Sequence, residues 1–239
     1  MRSFVNFLVE ETENSVEQYL REFEDAVSST HRRLDKNGHT FFIPLSFDKK
    51  LPNKMIMSAL QGDEPAGWLG LMEYVKNNKP KTANVTFIPI YSKETFRSGN
   101  HEDDANRNPN HDIPQNPSRE ANRFLLMREM WLPLASEGFL DLHEDPYRGQ
   151  GYAFVWSDRD GLGDRIVEII GERFPLFHAP FPPNHAIRGK IEKDDQGMLG
   201  DYLSRLGVTP SITSETAIEG HSLDKRVSVN VSIIKEFLK

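Results

Sequence analysis

The run Gln61-Gly62-Asp63-Glu64 sets an amide and a carboxylate three residues apart, in a glycine-containing turn that directly follows the apolar stretch 54–60. A carboxylate so placed can ligate a metal ion. Equally, it can cap the helix that begins near Pro65, because acidic side chains suit a helix N-terminus. A second cluster, Arg97 with Asp104-Ala105-Asn106-Arg107-Asn108, puts two guanidinium groups and an amide in one loop. Those donors grip a carboxylate through forked hydrogen bonds, although a solvated surface loop has the same composition. A third, Asp141-Leu142-His143-Glu144-Asp145, ends a short apolar stretch with an imidazole flanked by acids that can fix its tautomer. This suits a metal ligand, although a lone histidine is more often merely hydrogen-bonded. In the fourth, Ser214-Glu215-Thr216, Glu215 is either a general base or an ordinary strand-edge residue. The seven other histidines show no metal-ligand spacing among themselves.

The elements that must position these groups follow from periodicity. Residues 14–30 carry Val16, Tyr19, Leu20, Phe23 and Val27 at helical spacing. Strands are expected over 41–47 (with Pro44 marking an edge or an end), 54–60 and 85–91, and a helix between the last two over 65–77. Residues 92–117 lack periodicity and are rich in Asn, Asp, Gly and Pro; a loop of that length in a compact domain is functional or disordered. A helix over 118–135 with Ser118 as N-cap, strands at 139–143 and 152–156, and a helix over 160–174 come next. A Pro-rich stretch from 175 to 183 has no assignable pattern; a helix at 199–206, a strand at 211–216 and a helix over 225–238 finish the chain. All four clusters then fall at or just beyond strand ends, where open α/β sheets bind their ligands.

The 239 residues suffice for one α/β domain spanning 1–239, and no repeat or linker divides them. A net charge of -7 argues against nucleic acid and anionic membranes as partners. No cysteine is present, which excludes disulfides and thiolate metal sites and leaves imidazole, carboxylate and amide ligands. No run of about 18 apolar residues occurs, and residues 1–10 lack a signal-peptide core, so a soluble cytoplasmic protein is expected.

Taken in order, the four clusters resemble the zinc carboxypeptidase family, including its small bacterial members and the related aspartoacylases and succinylglutamate desuccinylases. Gln61-Gly62-Asp63-Glu64 stands against the family's His-Gly-Asp/Asn-Glu, and Asp104-Ala105-Asn106-Arg107-Asn108 against Asp-Ala/Leu-Asn-Arg-Asn, the most specific of the matches. Arg97 falls where the family keeps another arginine, and the segment around His143 resembles that of the third zinc ligand. Ser214-Glu215-Thr216 with the downstream Arg226-Val227 resembles the pattern around the catalytic glutamate, except that Ala217 replaces a frequent proline.

The resemblance implies a mixed, twisted sheet of roughly eight strands with helices on both faces. It implies one Zn2+ ion held by Glu64 and His143, with Gln61 at the first ligand position, and Glu215 as general base. Arg97 would stabilise the oxyanion, and Asn106 and Arg107 would hold a free carboxylate on a peptide or N-acyl amino acid substrate. The chain leaves no room for the added C-terminal β-domain of the aspartoacylase-like branch, which favours the peptidase branch. Gln61 is the main departure. Its neutral carbonyl oxygen is a poorer partner for zinc than imidazole, so affinity well below that of a His-Glu-His site is expected. A natural low-affinity or inactive relative, an introduced substitution, or a replacement ligand such as His101 would each account for it.

Overall fold

The structure, a computed structural model, describes residues 13–103, 105–111, 113, 115–181, 184–192 and 197–239; Asp104 of the loop motif and the first twelve residues lie outside it. Helix α1 (Glu13–Val27) buries Val16, Tyr19, Leu20, Phe23 and Val27, the positions its spacing marked. A hairpin of β1 (His31–Lys36) and β2 (His39–Pro44) follows, turned by Asn37-Gly38 with φ of 50° and 88°. Periodicity misses β1 because it is a polar strand at the sheet edge; the Asn-Gly pair is the signal that marks it. β2 stops at Pro44, short of the expected 47, and the Leu45 N–H turns to the carbonyl of Thr30.

The expected strand, helix, strand order appears as β3 (Asn53–Ser58), α2 (Pro65–Asn77) and β4 (Asn84–Ile88). Within the aperiodic stretch a short helix, α3 (Lys93–Ser98), forms all the same. The Ser92 hydroxyl caps it by accepting the Thr95 N–H, and Gly99, at φ 66°, closes it. The single helix expected over 118–135 is instead split into α4 (Arg119–Leu125), α5 (Arg128–Trp131) and a 3-10 turn at Leu132–Leu134, although Ser118 caps α4 as read. The split has a local cause. The Phe124 carbonyl, which residue 128 would need in a continuous helix, accepts the Trp131 indole N–H at 2.8 Å while the two rings stack at 4.6 Å.

The remainder comprises β5 (Phe139–Asp145), β6 (Tyr152–Ser157), α6 (Leu162–Gly171), a small hairpin of β7 (Pro180–Phe181) and β8 (Asn184–His185), β9 (Lys190–Glu192), α7 (Leu199–Arg205), β10 (Ser211–Ala217) and α8 (Leu223–Phe237). Eight strands make one mixed sheet in the order β1-β2-β4-β3-β5-β10-β6-β9, with β4, β3, β5 and β10 parallel at its centre. Alternation along the strands feeds two large cores, and one face of β6 adds a smaller third cluster of Tyr152, Phe154 and Trp156. Ile56 shares one with Trp68, Ile166 and Ile233 beneath α1, α2, α6 and α8; Met55 and Met57 share the other with Phe124, Trp131 and Leu199 beneath α4, α5 and α7. Among the described residues no helix is long and apolar enough to cross a membrane.

Two glycines bring α2 close to its neighbours. A Cβ at Gly67 would lie 2.6 Å from the Leu142 carbonyl oxygen of β5, and one at Gly70 would lie 2.6 Å from the Asn230 Cβ of α8. Each glycine forfeits about 1 kcal/mol of helix propensity relative to alanine, so close packing must outweigh that loss. Gly67→Ala is therefore expected to destabilise the protein by about 1–3 kcal/mol, as overpacking does, despite the better helix former. Urea denaturation checks this; unchanged or higher stability would mean that α2 is free to move away from β5.

Candidate functional site

The sheet reverses its winding between β3 and β5. From β3 the chain passes through α2 to β4 on one side, whereas β5 and then β10 lie on the other. A crevice opens at the carboxyl ends of such strands. Beyond β3, Ala59 takes a left-handed conformation (φ 53°), and Gly62 presses against α3 so tightly that a Cβ there would lie 1.8 Å from the Thr95 carbonyl oxygen. The Gly62 N–H is held by the Asn100 carbonyl at 2.8 Å. This sharp turn brings both Gln61 and Glu64 to the crevice. From the neighbouring strands come His143 and Glu215, which are register partners in the β5–β10 ladder.

Gln61, Glu64, His143 and Glu215 line one cavity of about 230 Å3, together with His101, Asn108, Asn110, Tyr147, Arg148 and Tyr152 among others. Glu64 precedes α2 but its side chain does not cap it. Glu144 does so instead, its Oε2 accepting the Ala66 N–H at 2.6 Å. The Glu64 carboxylate is thereby left for the crevice: Oε2 accepts the Glu144 N–H at 3.1 Å and lies 2.9 Å from His143 Nδ1. On the far side of the ring, His143 Nε2 lies 3.0 Å from Asp141 Oδ2. Glu144 is itself tied to Arg226 of α8, Nη1 to Oε1 at 2.5 Å.

Burial shapes the electrostatics. It works against charge on His143, but Asp141 and Glu64 outweigh it and hold the imidazole well above its ordinary range. Burial raises Glu64 despite the opposing pull of His143, and raises Glu215 well above the usual carboxylate range with the same opposition. Glu144 is pushed up to about 7 by burial, against Arg226.

On the loop side, the Gln61 amide donates through Nε2 to Asn108 Oδ1 at 2.9 Å, and its Oε1 is buried with no hydrogen-bond partner. Asn108 Oδ1 also accepts the Asn110 N–H at 2.8 Å, while its Nδ2 lies 3.2 Å from His101 Nε2. His101 Nδ1 faces Asp63 Oδ1 at 3.3 Å and Glu64 Oε1 at 3.7 Å.

No protein-family model and no curated protein matches the chain. Solved structures do. A proposed metallopeptidase from Shewanella denitrificans is 19% identical, with a TM-score of 0.85 over 95% of this chain and 93% of that one. A metallo-carboxypeptidase from Pseudomonas aeruginosa, in complex with (2-guanidinoethylmercapto)succinic acid, is 13% identical with a TM-score of 0.69 over 93% and 68%. A succinylglutamate desuccinylase from a Silicibacter species is 16% identical with a TM-score of 0.57 over 84% and 59%. The fold is that of the metallo-carboxypeptidases.

Within this carboxypeptidase fold, the sequence candidates divide. Gln61, Glu64, His143 and Glu215 converge on the cavity; Arg97, Asn106 and Arg107 are not among its lining residues. Arg97 is exposed in the last turn of α3, Asn106 is exposed at φ 54°, and Arg107 pairs with Asp103 at 3.2 Å. The arginine on the cavity wall is Arg148, which donates from Nη1 to Asp145 Oδ2 at 2.5 Å and lies over the Phe177 ring. Sequence reasoning passed over Arg148, Asn110 and Tyr152. The only trace of Arg148 in the sequence is its place in the Pro146-Tyr147-Arg148-Gly149 turn after a strand that ends in acids.

With a carboxylate at each ring nitrogen, His143 of the metal-free protein is expected to remain protonated well past pH 6.5. Removing one of these charges in Asp141→Asn should lower its midpoint by about 1–3 units, the scale for an ion partner at this range. Imidazole NMR titration reads both values. The sign carries into stability: the raised His143 contributes stability that is complete below about pH 6.5 and lost as pH rises through its folded-state value.

Proposed function

We propose that this chain is a zinc-dependent hydrolase of the carboxypeptidase type, cleaving an amide bond next to a free carboxylate. The observation that carries the reading is the convergence of Glu64, His143 and Glu215 on one cavity, with Asp141 behind His143. The donor set suits zinc. Asp141 holds the Nε2 proton and leaves Nδ1 as the donor, the arrangement typical of metal-bound histidine; Glu64 offers a carboxylate beside it, and the unpartnered Gln61 Oε1 is a further, neutral donor. When bound, zinc supplies Lewis acidity toward water and the scissile carbonyl.

The rest falls to the chain's own side chains. Glu215, buried and held above the usual carboxylate range, takes a proton from water and returns it to the leaving amine. Tyr152 and Arg148 fix Asp145 at the cavity rim, Tyr152 Oη donating to Asp145 Oδ2 at 2.8 Å. For Arg97 as oxyanion donor, and for Asn106 and Arg107 as the carboxylate grip, support is the sequence motif alone. A second reading, deacylation of N-acyl amino acids, draws on the same machinery and on the fold shared with the desuccinylase. A third, carboxylate binding without turnover, draws on the amide at position 61. The protein is read as one soluble, cytoplasmic catalytic domain.

Zinc-loaded protein is expected to release C-terminal residues from peptides, and Glu215→Gln to lower kcat by about 10²–10⁴-fold with zinc still bound. Mass spectrometry of a peptide mixture and of N-acyl amino acids separates the readings. Deacylation alone favours the second, and ligand binding by calorimetry without turnover favours the third.

A further inference from the structure

Resting on the hydrolase reading above, we infer that Arg148, not the pair Asn106 and Arg107, holds the free carboxylate of the substrate. Three strands fix its place. His143, Glu215 and Tyr152 are successive register partners across β5, β10 and β6, so their side chains stand in one row on one face of the sheet. Two residues beyond His143, Asp145 returns to that face. There Tyr152 Oη donates to Asp145 Oδ2 at 2.8 Å, and Arg148 Nη1 donates to the same oxygen at 2.5 Å. The guanidinium is thus tied, through one shared carboxylate, to the residue next to Glu215 in the row. Gln61 and Glu64 follow β3, on the opposite side of β5 from β10 and β6.

Among the described residues, Arg148 is the only arginine or lysine that lines the cavity holding His143 and Glu215. Its guanidinium lies over the Phe177 ring, 5.1 Å from the centroid, and with the Asp145 contact this sets the plane of the fork. A guanidinium has five N–H donors, so one anchored to a carboxylate can grip a second. The other cations of the site are committed elsewhere. Arg107 Nη2 lies 3.2 Å from Asp103 Oδ2, and its Nη1 donates to the Pro117 carbonyl at 3.3 Å. Asp103 Oδ1 in turn accepts the N–H groups of Ala105 and Arg107, which closes that turn on itself. His101 faces Asp63 and Glu64. A substrate whose amide lies at His143 and Glu215 therefore meets Arg148 as the cation for its carboxylate. Tyr152, Phe154 and Met198 line the cavity and belong to one apolar cluster with Phe177, so a carboxylate borne by an apolar residue suits this wall.

The test reads binding and turnover separately. The full chain, labelled with nitrogen-15 at arginine, is titrated with N-acetylphenylalanine, which carries the acyl amide and the free carboxylate that both hydrolysis readings need, and with its primary amide. The acid is expected to shift the Arg148 Nε–H resonance to saturation, and the amide to leave it in place. Loss of that resonance in Arg148→Gln assigns it, and Arg148→Lys serves if the first variant does not fold. In zinc-loaded protein, Arg148→Gln should raise KM about 10–100-fold for a peptide with a free C-terminus, the scale of one hydrogen bond to a charged group. The rate on the same peptide with an amidated C-terminus should not move, and Arg148→Lys, which keeps the charge without the fork, should fall between. A saturating shift at Arg107 in place of Arg148, or a loss of free-carboxylate preference in Arg107→Gln but not in Arg148→Gln, overturns the inference and leaves the hydrolase reading standing. A shift at Arg148 with no hydrolysis of any peptide or N-acyl amino acid supports the inference and overturns that reading. No shift at any arginine and no hydrolysis overturns both.

Discussion

An imidazole wedged between two carboxylates, with almost no water near any of them, is the interaction on which the site depends. Glu64, Asp141 and His143 are each 3% exposed or less. Burying one such charge alone costs several kcal/mol, so each group persists only because the others are within hydrogen-bond range. The crowding extends outward. Glu144, Asp145 and Glu215 are also buried, with Arg226 matched to Glu144 and Arg148 to Asp145. Among the described residues Glu215 has no arginine or lysine partner, and burial raises its carboxyl well above the usual range against the pull of His143.

Holding such a wall together requires backbone placement finer than side chains can provide. Gly62 and Gly67 occupy positions where a Cβ would collide with carbonyl oxygens of α3 and β5. They set how near the turn after β3 and the start of α2 come to the end of β5, and so how near Glu64 comes to His143. The cap of α2 completes the arrangement. Because Glu144 reaches across the sheet to Ala66, Glu64 is relieved of capping and turns to the crevice. Arg226 secures Glu144 from α8, which links the C-terminal helix to the site without touching it.

Much of this was legible in the residues. The amphipathic spacing of α1, the strand runs at β3, β4, β5 and β10, the cap at Ser118 and the helix start at Pro65 are local signals, and they specified the layers and placed the clusters at strand ends. What was misread has local causes too. β1 is polar and shows only through Asn37-Gly38; α3 is too short to repeat; and the helix over 118–135 breaks because the indole of Trp131 takes a carbonyl that sequence spacing assigns to the helix.

The residue types at positions 61, 64, 143 and 215 and the order of elements carrying them were determined by the sequence itself, since periodicity and turn chemistry act over a few neighbours. Tertiary structure alone decided what those residues meet. Glu64 as crevice carboxylate rather than helix cap depends on Glu144, eighty residues away. The separation of Arg97, Asn106 and Arg107 from the cavity, the presence of Arg148 on its wall, and the amide chain from Gln61 through Asn108 to His101 depend on how a long aperiodic loop packs across three strand ends. Hydrogen bonds between residues so far apart in the chain leave no period to read. They exist only once the sheet has brought the strand ends together.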